Sequence, residues 1–241
     1  MKQTPFSAFP TEGLKFLRSL KRHNNREWFQ KHKDIYEHSI KGPMEDLISA
    51  LAGDFARFAP EMVATPKASA YRIYRDTRFS KDKSPYKTHV AAIFPREGLS
   101  KHEGAGFYLH ISPSELLIAG GLYMPMPEDL NAVRRRIAED PASLRKVIGA
   151  AQFKRLFGSV DGERLSRVPK GFSADHPAAD YLKFKQYLVA RTLPATAATA
   201  PSFYRTVVET FRGMAAFIRF LNDPIVRARK VRGRQEAMLR F

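Results

Sequence analysis

The sequence of 241 residues contains no cysteine. This absence excludes disulfides, thiolate metal sites, iron–sulfur clusters and a cysteine nucleophile, and it is compatible with a reducing compartment. No run of apolar residues approaches the roughly 20 that are needed to span a bilayer. The first residues, Met1–Phe6, have no long apolar region after their lysine, so we expect no secretory signal. We therefore expect a cytoplasmic protein that does not enter a membrane.

Several common functional motifs are also absent. The sequence has no Walker loop, no G-x-S-x-G nucleophile elbow and only an isolated Gly-x-Gly fragment of a dinucleotide fingerprint. Their absence counts against the common nucleotide-binding and hydrolase folds. The histidines lack metal-ligand spacing, because His32 and His38 do not share a helical face and His102 with His110 fits no known pattern. We expect neither a tightly bound metal nor a cofactor.

Acidic residues are few relative to basic ones. The chain has 41 Lys and Arg against 24 Asp and Glu, a formal net charge of +17. This excess favours an anionic partner such as phosphate, nucleic acid or an acidic surface, although solubility alone also explains it. The segment Arg227–Phe241 carries six basic residues and one carboxylate. It is either a basic arm for nucleic acid or an acidic partner, or a solvated helical tail.

The content of apolar residues, 44%, and of aromatic residues, 12%, is sufficient for a sizeable core. Apolar residues recur at helical spacing before residue 60, and the period changes to that of strands after residue 68. A further amphipathic helix is predicted over Ser202–Leu221. The predicted strands are Ala70–Arg75, Thr88–Phe94, Gly106–Ile111, Glu115–Tyr123 and Lys183–Leu193.

This grouping predicts an α+β fold, with a central, mostly antiparallel sheet of about five strands and N-terminal and C-terminal helices packed on it. The chain is predicted to be one domain over residues 1–241. Its parts are an N-terminal helical region (about 11–60), a sheet-containing core (about 68–193), a C-terminal helix (about 202–222) and a basic tail (223–241).

The densest charge lies in the middle of the chain, in residues 71–89, which we call the basic segment. Six cations fall within sixteen residues there, against two carboxylates, Asp76 and Asp82. Because the segment contains a strand end and then a polar loop with Pro85, it is not one long solvated helix. The six cations are Arg72, Arg75, Arg78, Lys81, Lys83 and Lys87.

The basic segment has two main interpretations. In the first, its cations converge on one anion, because arginine forks match the oxygens of a phosphate or a carboxylate. In the second, Asp76 and Asp82 pair with the arginines and brace the loop, as surface ion pairs that contribute about 0–1 kcal/mol each. A nonspecific charged face is the remaining alternative.

Polar side chains lie on the strands beside the basic segment. Tyr108 and His110 share one strand face, and Tyr74 lies on a polar face of its own strand. If these faces coincide, they form the floor of a polar pocket, whereas an ordinary sheet with one wet face is the alternative. His89 and His110 are candidates for proton transfer, since an unperturbed histidine titrates near neutral pH. The candidate pocket-lining residues are Tyr74, Tyr86, Tyr108 and Tyr187.

Four blocks of sequence stand out together: Asn25–Phe29 (NREWF), Arg75–Lys87 (RDTRFSKDKSPYK), Gly120–Pro125 (GGLYMP) and Pro169–Phe172 (PKGF). They resemble the domain-of-unknown-function family DUF2461, and the similarity runs roughly from residue 9 to residue 220. The resemblance implies one domain over most of the chain. It implies no particular activity, so it assigns no residue a catalytic role.

Three functions are compatible with these observations. The leading hypothesis is a protein that binds a phosphate-bearing or other anionic small molecule through Arg72–Lys87, either as a binding protein or as an enzyme. In an enzyme, Asp76, Asp82, His89 and His110 are the candidates for catalytic roles. The second hypothesis is a nucleic-acid-binding protein that uses its basic surface. The third is a structural or interaction module without a catalytic site.

Overall fold

The structure is a computed structural model that describes residues 6–101 and 103–238, with side chains through residue 232. Its class is α+β, which confirms the prediction: one antiparallel sheet of four strands, with helices before and after it in the chain. None of the helices in these ranges has an apolar stretch long enough to cross a bilayer. His102 and the side chains of Arg234, Glu236 and Arg240 lie outside what is described.

The N-terminal part of the chain is helical. Helix α1 (Thr11–Arg22) buries an apolar stripe that includes Leu17 and Leu20. Helix α2 (Arg26–Lys31) begins after Asn25, whose side chain accepts a hydrogen bond from the Trp28 backbone N–H at 2.9 Å and so satisfies a free donor of the first turn. The following elements are α3 (Lys33–Tyr36), a π-helical turn (Glu37–Lys41), α4 (Gly42–Phe58) and α5 (Pro66–Ser69).

The sheet contains four consecutive strands in the spatial order β1-β2-β3-β4. Strands β2 and β3 form a hairpin, whose turn is closed by a hydrogen bond of 2.8 Å from Ser112 N to Glu115 O. Strand β2 shows the predicted alternation, because its apolar residues are buried while Tyr108 and His110 are only partly buried. The strands are β1 (Val90–Phe94), β2 (Gly106–Ile111), β3 (Glu115–Leu122) and β4 (Tyr187–Pro194).

The prediction of a fifth strand at Ala70–Arg75 is wrong. This segment makes only isolated antiparallel bridges, one from Ala70 to Ala92 and one from Tyr74 to Tyr86. It pairs partly with residues that follow it closely in the chain, and Pro85 lacks the N–H that a continuing ladder would need. The alternating pattern therefore produces one arm of a short hairpin and not a strand of the sheet.

The helices of the second half are α6 (Pro127–Glu139), α7 (Pro141–Gly149), α8 (Ala151–Phe157), α9 (Ala179–Leu182), a 3₁₀ turn (Ala195–Thr199) and α10 (Phe203–Met238). The last helix continues well beyond the predicted end at residue 222, with Pro224 inside it. Arg229 of this extension donates to Asp129 and to Glu103, both at 2.8 Å. The helical-tail alternative thus describes this segment as far as residue 238, whereas its contacts with partners distant in sequence could not be read from a local pattern.

The chain divides into two compact units. The first comprises Met1–Phe94, Tyr108–Ile118 and Arg191–Phe211, and the second comprises the remaining segments. In the first unit the rings of Phe94 and Phe211 pack 5.6 Å apart. In the second unit the rings of Phe153 and Phe217 also pack 5.6 Å apart.

We propose that both units nevertheless fold as one domain, because β2, β3 and β4 each contribute residues to both of them. In urea, far-ultraviolet circular dichroism and the fluorescence of Trp28 should report the same single unfolding transition. Two transitions with different midpoints would show that the units unfold independently and would contradict the one-domain organisation.

Candidate functional site

The basic segment forms a short hairpin in the first unit, with a loop at residues 76–84. Two backbone hydrogen bonds hold its arms together, from Arg75 N to Pro85 O at 2.9 Å and from Lys87 N to Ile73 O at 2.7 Å. A third bond, from the Tyr71 N–H to the carbonyl of Ala91 at 3.0 Å, connects the first arm to β1. The loop is therefore presented on a fixed base.

Asn24, just before α2, clamps the second arm of the hairpin. Its side-chain amide donates to the Tyr86 carbonyl at 2.9 Å, and its side-chain oxygen accepts from the Tyr86 N–H at 3.1 Å. The Tyr86 ring is buried and stacks on Phe29 of α2, with ring centroids 4.0 Å apart. This clamp positions the start of α2 beside the hairpin.

Both carboxylates of the loop are engaged with its arginines. Arg75 pairs with Asp82 and also donates to the Ser80 hydroxyl at 3.4 Å. Arg78 donates to both oxygens of Asp76, at 3.0 and 2.7 Å. The bracing ion pairs of the second interpretation are thus present in the structure.

These contacts hold both carboxyl groups in the ionised form. The hydrogen bonds from Arg78 lower the pKa of Asp76 to about 2. Hydrogen bonds from Ser84, followed by those from Arg75, hold the pKa of Asp82 well below its usual range. A general base that works near neutral pH needs a pKa close to that pH, so neither carboxylate is suited to proton transfer.

Of the four remaining cations of the segment, two donate hydrogen bonds within it and two have no partner among the described residues. Lys83 donates to the Thr77 carbonyl and Lys87 to the Arg72 carbonyl, each at 3.0 Å. Within the described part of the chain, the side chains of Arg72 and Lys81 make no hydrogen bond or ion pair. The six predicted anion ligands therefore do not converge on one point. Four of them make contacts inside the segment.

A cleft of about 310 Å³ opens between α2 and the hairpin. It contains one member of the predicted cation cluster, Arg75, and a cation from outside the segment, Arg26. Tyr86 is a buried wall residue, whereas Tyr74, 5.5 Å from it between ring centroids, is 58% exposed. The cleft is lined by Arg26, Gln30, Tyr74, Arg75, Thr77, Pro85 and Tyr86.

Arg26 is the unpaired cation of this cleft. Its side chain makes no hydrogen bond or ion pair with any described residue, although its charge acts on the cleft wall. Burial and the neighbouring Tyr74 raise the pKa of the Tyr86 phenol, and the positive charge of Arg26 opposes that rise. Arg75, in contrast, is already fixed by Asp82 and Ser80.

A second polar cluster lies on the sheet, also in the first unit. His110 lies between the Tyr108 hydroxyl on Nδ1 and the Glu115 carboxylate on Nε2, each at 3.2 Å. The ring of His89 is 5.3 Å from that of His110, and Tyr71 packs edge-on against Tyr108. Two predicted proton-transfer candidates and one predicted pocket residue therefore meet here, away from the residues that line the cleft.

The environment of His89 determines how its charge depends on pH. Burial, together with His110 and Lys87, lowers the pKa of His89 to about 4. An unfolded histidine titrates near 6.5, so between about pH 6.5 and pH 4 the unfolded chain binds a proton that the folded chain does not. The stability contributed by neutral His89 is therefore complete above about pH 6.5 and is lost as the pH falls towards 4.

In an NMR titration, the His89 ring should accordingly show a midpoint near pH 4. Replacing His89 with Gln should flatten the dependence of unfolding free energy on pH between about 4 and 6.5. A His89 midpoint near the ordinary value of about 6.5 would contradict the described environment.

Tyr187 does not belong to either cluster. It is buried in the second unit, where its hydroxyl donates to the Tyr181 carbonyl at 2.8 Å, and burial raises its pKa. In the ranges that the structure describes, no group of three or more His, Asp or Glu side chains is arranged to hold a metal ion.

Three lining residues of the cleft, Arg26, Gln30 and Thr77, were not singled out from the sequence. Arg26 lies in the NREWF block and Thr77 in the longer RDTRFSKDKSPYK block. The two blocks are brought together by long-range contacts to Tyr86, the hydrogen bonds from Asn24 and the ring of Phe29. Co-occurrence of the two blocks was the one available signal that they lie together.

Comparison with known proteins agrees with the resemblance of these blocks. A family described as "Conserved hypothetical protein (DUF2461)" matches residues 12–220. No curated protein and no solved structure matches the chain.

Proposed function

The chain belongs to the DUF2461 family of conserved hypothetical proteins, and we propose that it binds a small oxyanion, a phosphate ester or a carboxylate, in the cleft beside α2. One observation carries this proposal: two arginines, Arg26 and Arg75, line the same cleft. Two arginines present several N–H donors in planar forks, which match the oxygens of phosphate and carboxylate groups.

The two arginines play different parts. Arg75 is preorganised by Asp82 and Ser80, so little side-chain freedom is lost when a ligand binds. Arg26 has no carboxylate partner among the described residues, and its charge is available to the ligand. We therefore expect Arg26 to supply most of the ligand's charge compensation and Arg75 to fix its orientation.

The rest of the cleft suits a small ligand with a flat part. Its volume of about 310 Å³ is at the lower end of the range for ligand pockets, roughly 300–1,000 Å³. Gln30 and Thr77 add neutral hydrogen-bonding groups, and the exposed ring of Tyr74 offers an aromatic face. The proposal is one of binding, because the two carboxylates of the adjoining loop, Asp76 and Asp82, are held ionised by their partners.

Isothermal titration calorimetry at constant ionic strength tests the proposal. Inorganic phosphate, a phosphate monoester, acetate and citrate are titrated separately, so that phosphate and carboxylate ligands are distinguished. In the variant Arg26→Gln, affinity for the preferred anion should fall at least about tenfold, since a charge-assisted hydrogen bond contributes about 1.5–3 kcal/mol.

Arg18→Gln is the matched control. Arg18 is exposed on α1, outside the cleft, and removing it changes the net charge by the same amount. Affinity in this variant should equal that of the unmodified chain. Equal weakening in both variants would mean that only net charge attracts the anion. No binding of any of the anions would overturn the proposal and would favour the structural-module alternative.

A further inference from the structure

The loop of the basic segment exposes an aromatic ring at its tip. Phe79 is 94% exposed, the highest value among the large hydrophobic side chains of the described residues. Exposed apolar side chains are common on protein surfaces, but a nearly completely exposed phenyl ring on a braced loop is a marked local feature. The ring does not line the cleft.

The backbone that carries this ring is held in place. On its N-terminal side Arg78 is fixed by the two oxygens of Asp76, and on its C-terminal side Lys83 reaches back to the Thr77 carbonyl at 3.0 Å. The Ser80 N–H also donates to the Thr77 carbonyl at 3.4 Å, which closes the turn around Phe79. The ring is therefore presented outward by a loop that these contacts brace.

Positive charge surrounds the exposed ring. The Arg78 guanidinium is 5.7 Å from the centroid of the Phe79 ring, and the neighbouring Lys81 is exposed and free of described partners. Residues 71–89 hold six cations and two carboxylates, a net charge of +4. Proteins that bind single-stranded nucleic acids combine an aromatic face, on which a base stacks, with cations that contact the phosphates.

We propose that the loop tip formed by Phe79, Arg78 and Lys81 is a docking surface for single-stranded nucleic acid. Phe79 stacks on one unpaired base, Lys81 contacts a flanking phosphate, and Arg78, held by Asp76, keeps positive charge beside the ring. None of these three residues lines the oxyanion cleft, and the proposal does not rest on anion binding there.

The chemistry of the tip favours nucleic acid over an anionic membrane. Membrane binding by a surface segment increases with the apolar area that enters the lipid, and stable anchoring needs more than one weak signal. Here a single ring stands among polar neighbours, Thr77, Ser80 and Lys81. One ring is sufficient, however, for one stacked base.

Fluorescence anisotropy with a labelled 12-mer of deoxythymidine and one of uridine, at about 50 mM salt, tests the surface. Phe79→Ala should weaken binding about tenfold or more, in line with the contribution of one stacked base. Phe79→Leu should weaken it similarly, because leucine keeps the apolar character and loses the flat ring. Phe79→Trp should bind at least as tightly as the unmodified chain. Since Phe79 is almost fully exposed, none of these changes should affect folding.

If the unmodified chain binds neither oligonucleotide, or if Phe79→Leu binds as well as the unmodified chain, the proposal is wrong. Vesicles of phosphatidylcholine and phosphatidylserine provide the membrane arm, and binding to vesicles without binding to oligonucleotides would also overturn it. Met126→Ala, a change at another exposed apolar residue, is the control and should leave oligonucleotide affinity unchanged.

Discussion

Replacing Tyr86 with Ala should lower the free energy of unfolding by about 3–5 kcal/mol, the range measured when large buried aromatic residues are truncated. Tyr86 is 2% exposed and stacks on Phe29, with ring centroids 4.0 Å apart. The truncation leaves a cavity under the cleft and weakens the contact that positions α2 against the hairpin. Urea unfolding followed by circular dichroism measures the change.

Tyr86→Phe is the matched control, because it keeps the ring and removes only the hydroxyl. Its effect should be below about 1.5 kcal/mol, since the volume of the side chain is almost conserved. A loss of less than about 1 kcal/mol in Tyr86→Ala would mean that the ring is not packed as described. Anion affinity should fall in Tyr86→Ala and be largely retained in Tyr86→Phe.

Replacing Gly121 with Ala should destabilise the fold by about 3 kcal/mol or more, the sum of backbone strain and overpacking. Gly121 has a φ of +137°, a conformation that residues with a side chain rarely adopt. A methyl group there would collide with the Tyr187 carbonyl oxygen and lie 2.9 Å from the Leu188 Cα, both backbone atoms of β4. A backbone cannot move aside as a flexible side chain does.

Gly53→Ala provides the control for this substitution. Gly53 lies inside α4, and a methyl group added there meets no atom within 4 Å. This change should stabilise the protein by about 0.5–1 kcal/mol, because alanine loses less backbone entropy than glycine in a helix. If Gly121→Ala unfolds at the same urea concentration as Gly53→Ala, the close approach of β3 to β4 is contradicted.

The sequence predicts the type and bounds of a secondary-structure element best where one periodic pattern runs through the whole element. In β2, apolar residues alternate with Tyr108 and His110, and the strand was predicted with its observed bounds, Gly106–Ile111. The same alternation at Ala70–Arg75 was misleading, because it extends a two-armed hairpin and not the sheet. Periodicity reports which face is buried, and it does not report which partner buries it.

The candidate site was predictable only in part. Its basic segment is visible as charge density, and pairing of Asp76 and Asp82 with the arginines is one of three interpretations of it, although the actual pairs, Arg75 with Asp82 and Arg78 with Asp76, cannot be read from the sequence. The cleft itself depends on long-range contacts from Asn24 to Tyr86, which no local pattern reveals. Arg26 therefore became a candidate only when the fold brought it beside Arg75.

The bracing and the binding interpretations of the basic segment share one side chain, that of Arg75. Arg78 and Asp76 pair on the exposed surface, where such a contact does little beyond shaping the loop. Arg75 takes part in both, since its pair with Asp82 fixes it at the edge of the cleft. Bracing of the loop is thus compatible with binding, and it prepares one of the two arginines for a ligand.

The most direct test of the central claim is a crystal structure grown with tungstate, a tetrahedral oxyanion that is located by its anomalous scattering. The account predicts an ordered oxyanion in the cleft, with oxygens within about 3.5 Å of the guanidinium nitrogens of both Arg26 and Arg75. In crystals of the Arg26→Gln variant this anion should be lost. An empty cleft in the unmodified protein, with the oxyanion bound instead at Arg72 or Lys81, would contradict the account.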